Sequence, residues 1–171
     1  MSFGRPAASL SPCCSPAVNM DTGYANLIDE VTRLRVLRET QSLCNGQQFV
    51  AGALVLDQPN ADFNLLAYRQ QIDNIQQYQG VPVIFQSYGL IGLSDAERLE
   101  AYRQLGQFAD QYIGFELGSM FAPFGMIYSL EFYREWIQIP QCMAAKHSSL
   151  DRHLEWQRLA IRDQVRPEFR V

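Results

Sequence analysis

Short apolar runs recur along this chain at an almost constant interval. They begin at Val18 ("VNM"), Phe49 ("FVAGALVL"), Val81 ("VPVIF"), Tyr112 ("YIGFEL"), Cys142 ("CMAA") and Val171, so successive starts lie 31, 32, 31, 30 and 29 residues apart. A repeat of about 30 residues is the length of a βα unit, a strand plus the helix that carries the chain back to the same end of the sheet. The runs read as strands apolar on both faces. Between them, apolar residues fall at helical spacing: Ile28, Val31 and Leu34 after the first run, Leu65, Tyr68, Ile72 and Ile75 after the second. In "SDAE", Ser94 is placed to cap a third helix, with Glu97 answering it as a capping box. A fourth helix is expected to open at Ser129 and end before Pro140, and a fifth to run from Ser148 or Ser149 until Pro167 stops it.

Strands alternating with amphipathic helices imply a parallel sheet covered by helices. A (β/α)8 barrel and an open doubly wound sheet both satisfy that pattern. No G-x-G-x-x-G or P-loop fingerprint follows any run, and the regular unit length favours the barrel. Eight units need about 250 residues, whereas 171 residues hold about five. The expected fold class is therefore α/β, a partial (β/α)8 TIM barrel of about five βα units. Residues 18–171 form that domain, and residues 1–17 read as an irregular leader.

Composition narrows the function classes. Hydrophobic residues make up 47% of the chain, enough for a sizeable core, but no run approaches the ~20 apolar residues that cross a membrane. A net charge of -4 argues against a nucleic-acid partner. Arg158, Arg162 and Arg166 recur every four residues and read as the solvated face of the fifth helix. Cys13, Cys14, Cys44 and Cys142 show no paired spacing, and Cys142, His147 and His153 lack a zinc-ligand spacing, so no metal is expected. The leader lacks a basic segment followed by an apolar core, which makes a cytoplasmic location the default. The aromatic set Phe121, Phe124, Tyr128, Phe132, Tyr133 and Trp136 reads as helix and loop packing.

Barrels carry their chemistry at the C-terminal ends of their strands. Here those ends are Asp21, Thr22 and Gly23; Asp57; Gln86, Ser87 and Tyr88; Glu116; and Lys146 with His147. A lysine stripped of water at such a place is a nucleophile for carbonyl groups. A lysine that merely reaches solvent there is not, and spacing alone does not choose between the two.

The chain resembles the dihydrodipicolinate synthase and N-acetylneuraminate lyase family of Schiff-base aldolases, from about Val18 to Val171. "MDTGYANLIDEVTRLRVL" is similar to the family's Gly-Thr-Thr-Gly-Glu turn and the helix after it: Thr22 and Gly23 match, while Asp21 replaces a threonine and Tyr24 a glutamate. "QSYGL" resembles a tyrosine-bearing strand end, with Tyr88 as counterpart, and "CMAAKHSSLD" resembles the Gly-Ile-Lys segment, which makes Lys146 the Schiff-base lysine. Where the family has Tyr-Asn-x-Pro, this chain reads "FELG", with Phe115 in place of a proton-relaying tyrosine and Glu116 beside it. The resemblance implies a carbon–carbon lyase or aldolase acting on a pyruvate-like 2-oxo acid without metal or organic cofactor. Lys146, Tyr88, Thr22 and Glu116 would be catalytic, and Asp21, Thr22 and Gly23 substrate-binding. The alternative it leaves is a truncated, catalytically silent relative, whose open sheet edges favour self-association into a homo-oligomer.

Overall fold

The computed structural model describes residues 15–171, so most of the expected leader, with Cys13 and Cys14, lies outside the described residues. Five strands, β1 (Ala17–Val18), β2 (Phe49–Ala53), β3 (Gly80–Ile84), β4 (Tyr112–Leu117) and β5 (Cys142–Ser148), form one sheet in chain order. Every neighbouring pair is parallel. The connections contain α1 (Glu30–Cys44), α2 (Leu65–Gln77), α3 (Tyr88–Ile91), α4 (Asp95–Gly106), α5 (Leu130–Trp136) and α6 (Arg152–Val165). This is the arrangement the 30-residue period predicts, because each crossover helix returns the chain to start the next strand alongside the last.

The sheet has two different faces. Phe49, Ala51, Ala53, Ile84, Tyr112, Cys142 and Ala145 pack with Tyr68, Ile72, Tyr102, Leu105 and Trp136 from the helices in the larger core cluster. The residues between them, Leu54, Val83, Phe85, Phe115 and Leu117, form a second cluster with Met20, Ala25 and Ala122 on the inner face, which draws on none of α1–α6. Strand alternation thus sorts two adjacent residues into different chemical surroundings. In β4 and β5, Phe115 pairs with Lys146 and Glu116 with His147; the first pair belongs to the inner face and the second to the helix side.

Several helix starts follow the sequence closely. Ser94 and Glu97 form the capping box, and Ser129 caps α5 by accepting a hydrogen bond from the Phe132 N–H. Tyr68, Ile72 and Ile75 are buried along α2, as their spacing requires.

Other expectations need correction. Two short 3-10 turns, Asp21–Gly23 and Ala25–Leu27, separate β1 from α1, with Tyr24 between them in the left-handed region at φ 53°. They reset the phase of α1, which starts at Glu30 after the Asp29 cap and buries Leu37 and Cys44. Ile28 is outside the helix, and Val31 is 76% exposed. Helix α6 starts later than Ser148 or Ser149 suggest: β5 continues through Ser148, and the cap is Asp151. The sixth run is one bridge, Arg170 beside Ala144, in the parallel sense and one residue before Val171.

The arginine stripe on α6 is the largest departure. Arg158 is fully buried, Arg162 donates to the Phe169 carbonyl, and Arg166 donates to the carbonyls of Ile137, Ile139 and Cys142. These guanidiniums bond strand-end and loop carbonyls, which holds α6 down on the sheet. The remaining cysteines in the described region, Cys44 and Cys142, are free and buried.

Candidate active site

Lys146 leaves β5 on the inner face. Its Nζ lies 2.8 Å from Asp21 Oδ1 and 4.2 Å from the centroid of the Phe115 ring. Asp21 comes from the turn after β1, at the opposite side of the sheet, so the ion pair spans the mouth of the curved sheet. Phe115 is itself held edge-on against Phe85, with centroids 4.9 Å apart. Phe115, which cannot relay a proton, therefore serves as a platform for the amine.

Of the two readings that spacing left open, the structure gives the lysine that reaches solvent: its side chain is 38% exposed, and it has a carboxylate partner whose side chain is 26% exposed. What the arrangement offers is proton transfer. When the amine attacks a carbonyl, Asp21 is within hydrogen-bond reach to take the proton that nitrogen releases.

Next to the pair lies a cavity of about 280 Å³ lined by Asp21, Tyr24 and Asn26 from the first turn, Leu54 and Phe85 from the strand ends, and residues 117 and 121–124. Phe121 and Phe124 thus face a cavity, while Tyr128, Phe132, Tyr133 and Trp136 pack as a buried aromatic cluster, as expected of them. Sequence reasoning missed Phe85 and Leu54, and named Phe115 only as a replaced tyrosine. The available signal was parity: each shares a face with Lys146 once the strands are paired.

The other strand-end residues divide into those left free and those already engaged. Thr22 and Gly23 are exposed beside Asp21. Tyr88 is half-buried, its ring 5.9 Å from that of Phe124, and it lines a different cleft of about 490 Å³ with residues 59–63. Asp57 accepts hydrogen bonds from the N–H groups of Tyr88 and Gly89, and Gln86 bonds both Met126 and Leu117.

Glu116 lies on the other side of the sheet from Lys146, fully buried. Arg158 Nε and Nη2 reach its two oxygens at 2.5 and 2.6 Å, His147 Nδ1 lies 3.0 Å away, and the Tyr128 N–H donates to it at 3.0 Å. Burial alone would raise its pKa, but the hydrogen bonds from Arg158 and His147 outweigh it and hold the carboxyl below the usual value of 4.5. A depressed folded-state pKa contributes stability that is present above the unfolded value and lost as pH falls through the folded one. The protein should therefore lose stability on acidification below about pH 4.5. Glu116→Gln should flatten that part of a urea-denaturation pH series; an unchanged acid limb would refute the assignment.

Among the described residues, no group of His, Cys, Asp and Glu gathers to hold a metal ion, and no helix is long and apolar enough to cross a membrane.

No family model matches the sequence, and no curated protein matches it. Solved structures do. A monomeric dihydrodipicolinate synthase variant superimposes with a TM-score of 0.73 at 12% identity, over 90% of this chain and 49% of that one. A dihydrodipicolinate synthase from Agrobacterium tumefaciens gives 0.71 at 14% identity, over 91% and 50%. An N-acetylneuraminate lyase from Mycoplasma synoviae gives 0.62 at 11%, over 86% and 46%. This is half of their fold. The chain spans about half the length of these dihydrodipicolinate synthase and N-acetylneuraminate lyase barrels, and its five parallel strands are a partial TIM barrel of that type. At such identities the likeness is one of fold, and any activity must be argued from the side chains.

Proposed function

We propose that the protein performs carbonyl chemistry through an imine on Lys146, in the manner of a carbon–carbon lyase or aldolase. The observation that carries this reading is that Lys146 is the only lysine in a chain with 14 basic residues, and it projects from β5 onto a carboxylate, Asp21, that lines a cavity. Thirteen arginines serve every other cationic need. Arginine cannot form an imine because its guanidinium stays protonated, so a lone lysine at the strand ends is the residue whose chemistry arginine cannot supply.

In this reading Asp21 takes a proton from the Lys146 ammonium, the freed amine attacks the carbonyl carbon as the π pair moves to oxygen, and Asp21 relays to that oxygen, one after the other, the two protons that nitrogen loses, so that it leaves as water. The resulting iminium, with Asp21 as counter-ion, draws electrons from the bond to be made or broken. Phe115 keeps the amine on the inner face. Thr22 and Gly23, beside Asp21 at the rim, are in place to meet the far end of a substrate, and Tyr88 stands behind Phe124 as a supporting residue. Glu116, engaged on the helix side, positions β4 and β5.

The 2-oxo acid implied by the family resemblance, with pyruvate as its simplest member, is the first compound to test. Borohydride added to the folded protein with pyruvate should leave a reduced adduct on the peptide spanning residues 142–152, and Lys146→Arg should abolish it. Folded protein that gives no adduct with any oxo acid, aldehyde or ketone would overturn the reading. The Lys146–Asp21 pair would then be a latch between the first turn and β5.

A further inference from the structure

The cavity beside Asp21 is walled by aromatic rings. Tyr24, Phe85, Phe121 and Phe124 all line it, together with the Asp21 carboxylate and the Asn26 amide. Two of the rings are held from behind: Phe85 meets Phe115 at 4.9 Å and Phe124 meets Tyr88 at 5.9 Å, both edge to face. The other two, Tyr24 and Phe121, are 67% and 52% exposed, apolar area that a bound molecule would cover. Tyr24 follows directly on the turn that carries the carboxylate, and its N–H donates to the Asp21 carbonyl at 3.0 Å, so ring and anion are fixed together. Thr22 and Gly23 of that turn are exposed and line none of the cavity. The cavity is thus a place apart from the rim given above to the substrate of Lys146, with Asp21 common to both.

Aromatic faces carry negative potential, and a carboxylate among them completes the surroundings that organic cations prefer. Lys146 shows the principle at work in this protein, its ammonium lying 2.8 Å from Asp21 Oδ1 and 4.2 Å from the centre of the Phe115 ring. That contact occupies one oxygen. A carboxylate accepts on both, and the four rings supply attraction that a second anion would otherwise have to provide. We propose that the cavity binds a small organic cation, an alkylated ammonium whose charge sits among Tyr24, Phe85, Phe121 and Phe124 and is shared with Asp21. The volume of about 280 Å³, at the low end of the ~300–1,000 Å³ of ligand pockets, suits a nitrogen carrying a few small alkyl groups. The site requires no covalent step and stands whether or not Lys146 forms an imine.

Choline and its uncharged carbon isostere 3,3-dimethylbutan-1-ol share one shape, so their affinities for the full chain, measured by ligand-observed NMR titration, isolate the charge. Choline should bind about tenfold tighter or more, the discrimination expected when ring faces and a carboxylate meet a partly desolvated cation. Phe124→Leu should lower the affinity for choline more than that for the alcohol, and Asp21→Asn should do the same. Lys146→Met, which removes the ammonium competing for Asp21, should tighten choline alone. Equal binding of the two probes would overturn cation recognition, as would a choline preference that survives both Phe124→Leu and Asp21→Asn at full strength. Choline affinity unchanged in Lys146→Met would overturn the shared use of Asp21. Binding of neither probe to the folded chain would overturn the site itself. Each of these failures leaves the imine reading standing, because the borohydride adduct on Lys146 is formed without either probe.

Discussion

Alanine at position 158 is expected to destabilise the fold by about 3–5 kcal/mol, the effect of removing one partner from a buried ion pair. Arg158 and Glu116 are both fully buried, and they meet through two charge-assisted hydrogen bonds. Arg158 also donates to the Tyr128 carbonyl, so its loss orphans a backbone acceptor as well. Set against the ~5–15 kcal/mol that holds a typical domain together, this change alone would bring the protein close to unfolding. Chemical denaturation of Arg158→Ala, Glu116→Gln and the double variant provides the check. The double variant should be more stable than Arg158→Ala, because it no longer leaves a bare carboxylate in the core. A double variant whose cost is the sum of the two single costs would mean that the pair is not coupled.

Gly114→Ala is expected to cost about 3 kcal/mol or more, at or beyond the top of the usual range for overpacking. A Cβ at Gly114 would overlap the six-membered ring of Trp136. Trp136 cannot retreat: it is fully buried, with the rings of Tyr102 at 4.9 Å, Tyr128 at 5.4 Å and Phe132 at 5.9 Å around it. The missing side chain on β4 is thus what lets α5 approach the sheet closely. Shrinking the opposing ring, as in Gly114→Ala with Trp136→Leu, should recover part of the loss even though Trp136→Leu alone creates a cavity. A Gly114→Ala protein with an unchanged denaturation midpoint would refute this packing argument.

The inner face deserves comparison with the outer one on chemical grounds. On β4, Phe115 and Glu116 are neighbours in sequence, yet one supports the amine of Lys146 and the other anchors α6 through Arg158. The same division operates on β5, where Lys146 meets Asp21 and His147 meets Glu116. One strand pair therefore presents a candidate reactive group on one side while a buried ionic cluster secures it from the other. The proposed imine chemistry and the acid stability of this protein should accordingly respond to different substitutions.

The sequence by itself determined the architecture. A 30-residue period, strands apolar on both faces and the capping signals at Ser94 and Ser129 specify a parallel βα array, because these are local features: propensity, periodicity and a hydrogen bond three residues away. It also determined that Lys146 would emerge at a strand end. What it could not determine is which strand-end groups meet. Asp21 and Lys146 are 125 residues apart, and only the order of the strands and the curvature of the sheet bring them together. The side of the sheet on which Lys146 lies depends on a register shift, Tyr112 pairing with Cys142 but Ile113 with Ala144, that puts one extra residue into β5; one residue of slip reverses every side chain beyond it. Arg158 was hidden for the same reason: a four-residue spacing of arginines looks identical on a solvated helix face and on one pressed against buried carbonyls and a carboxylate, and only the tertiary structure supplies the acceptors that make burial of the charge tolerable.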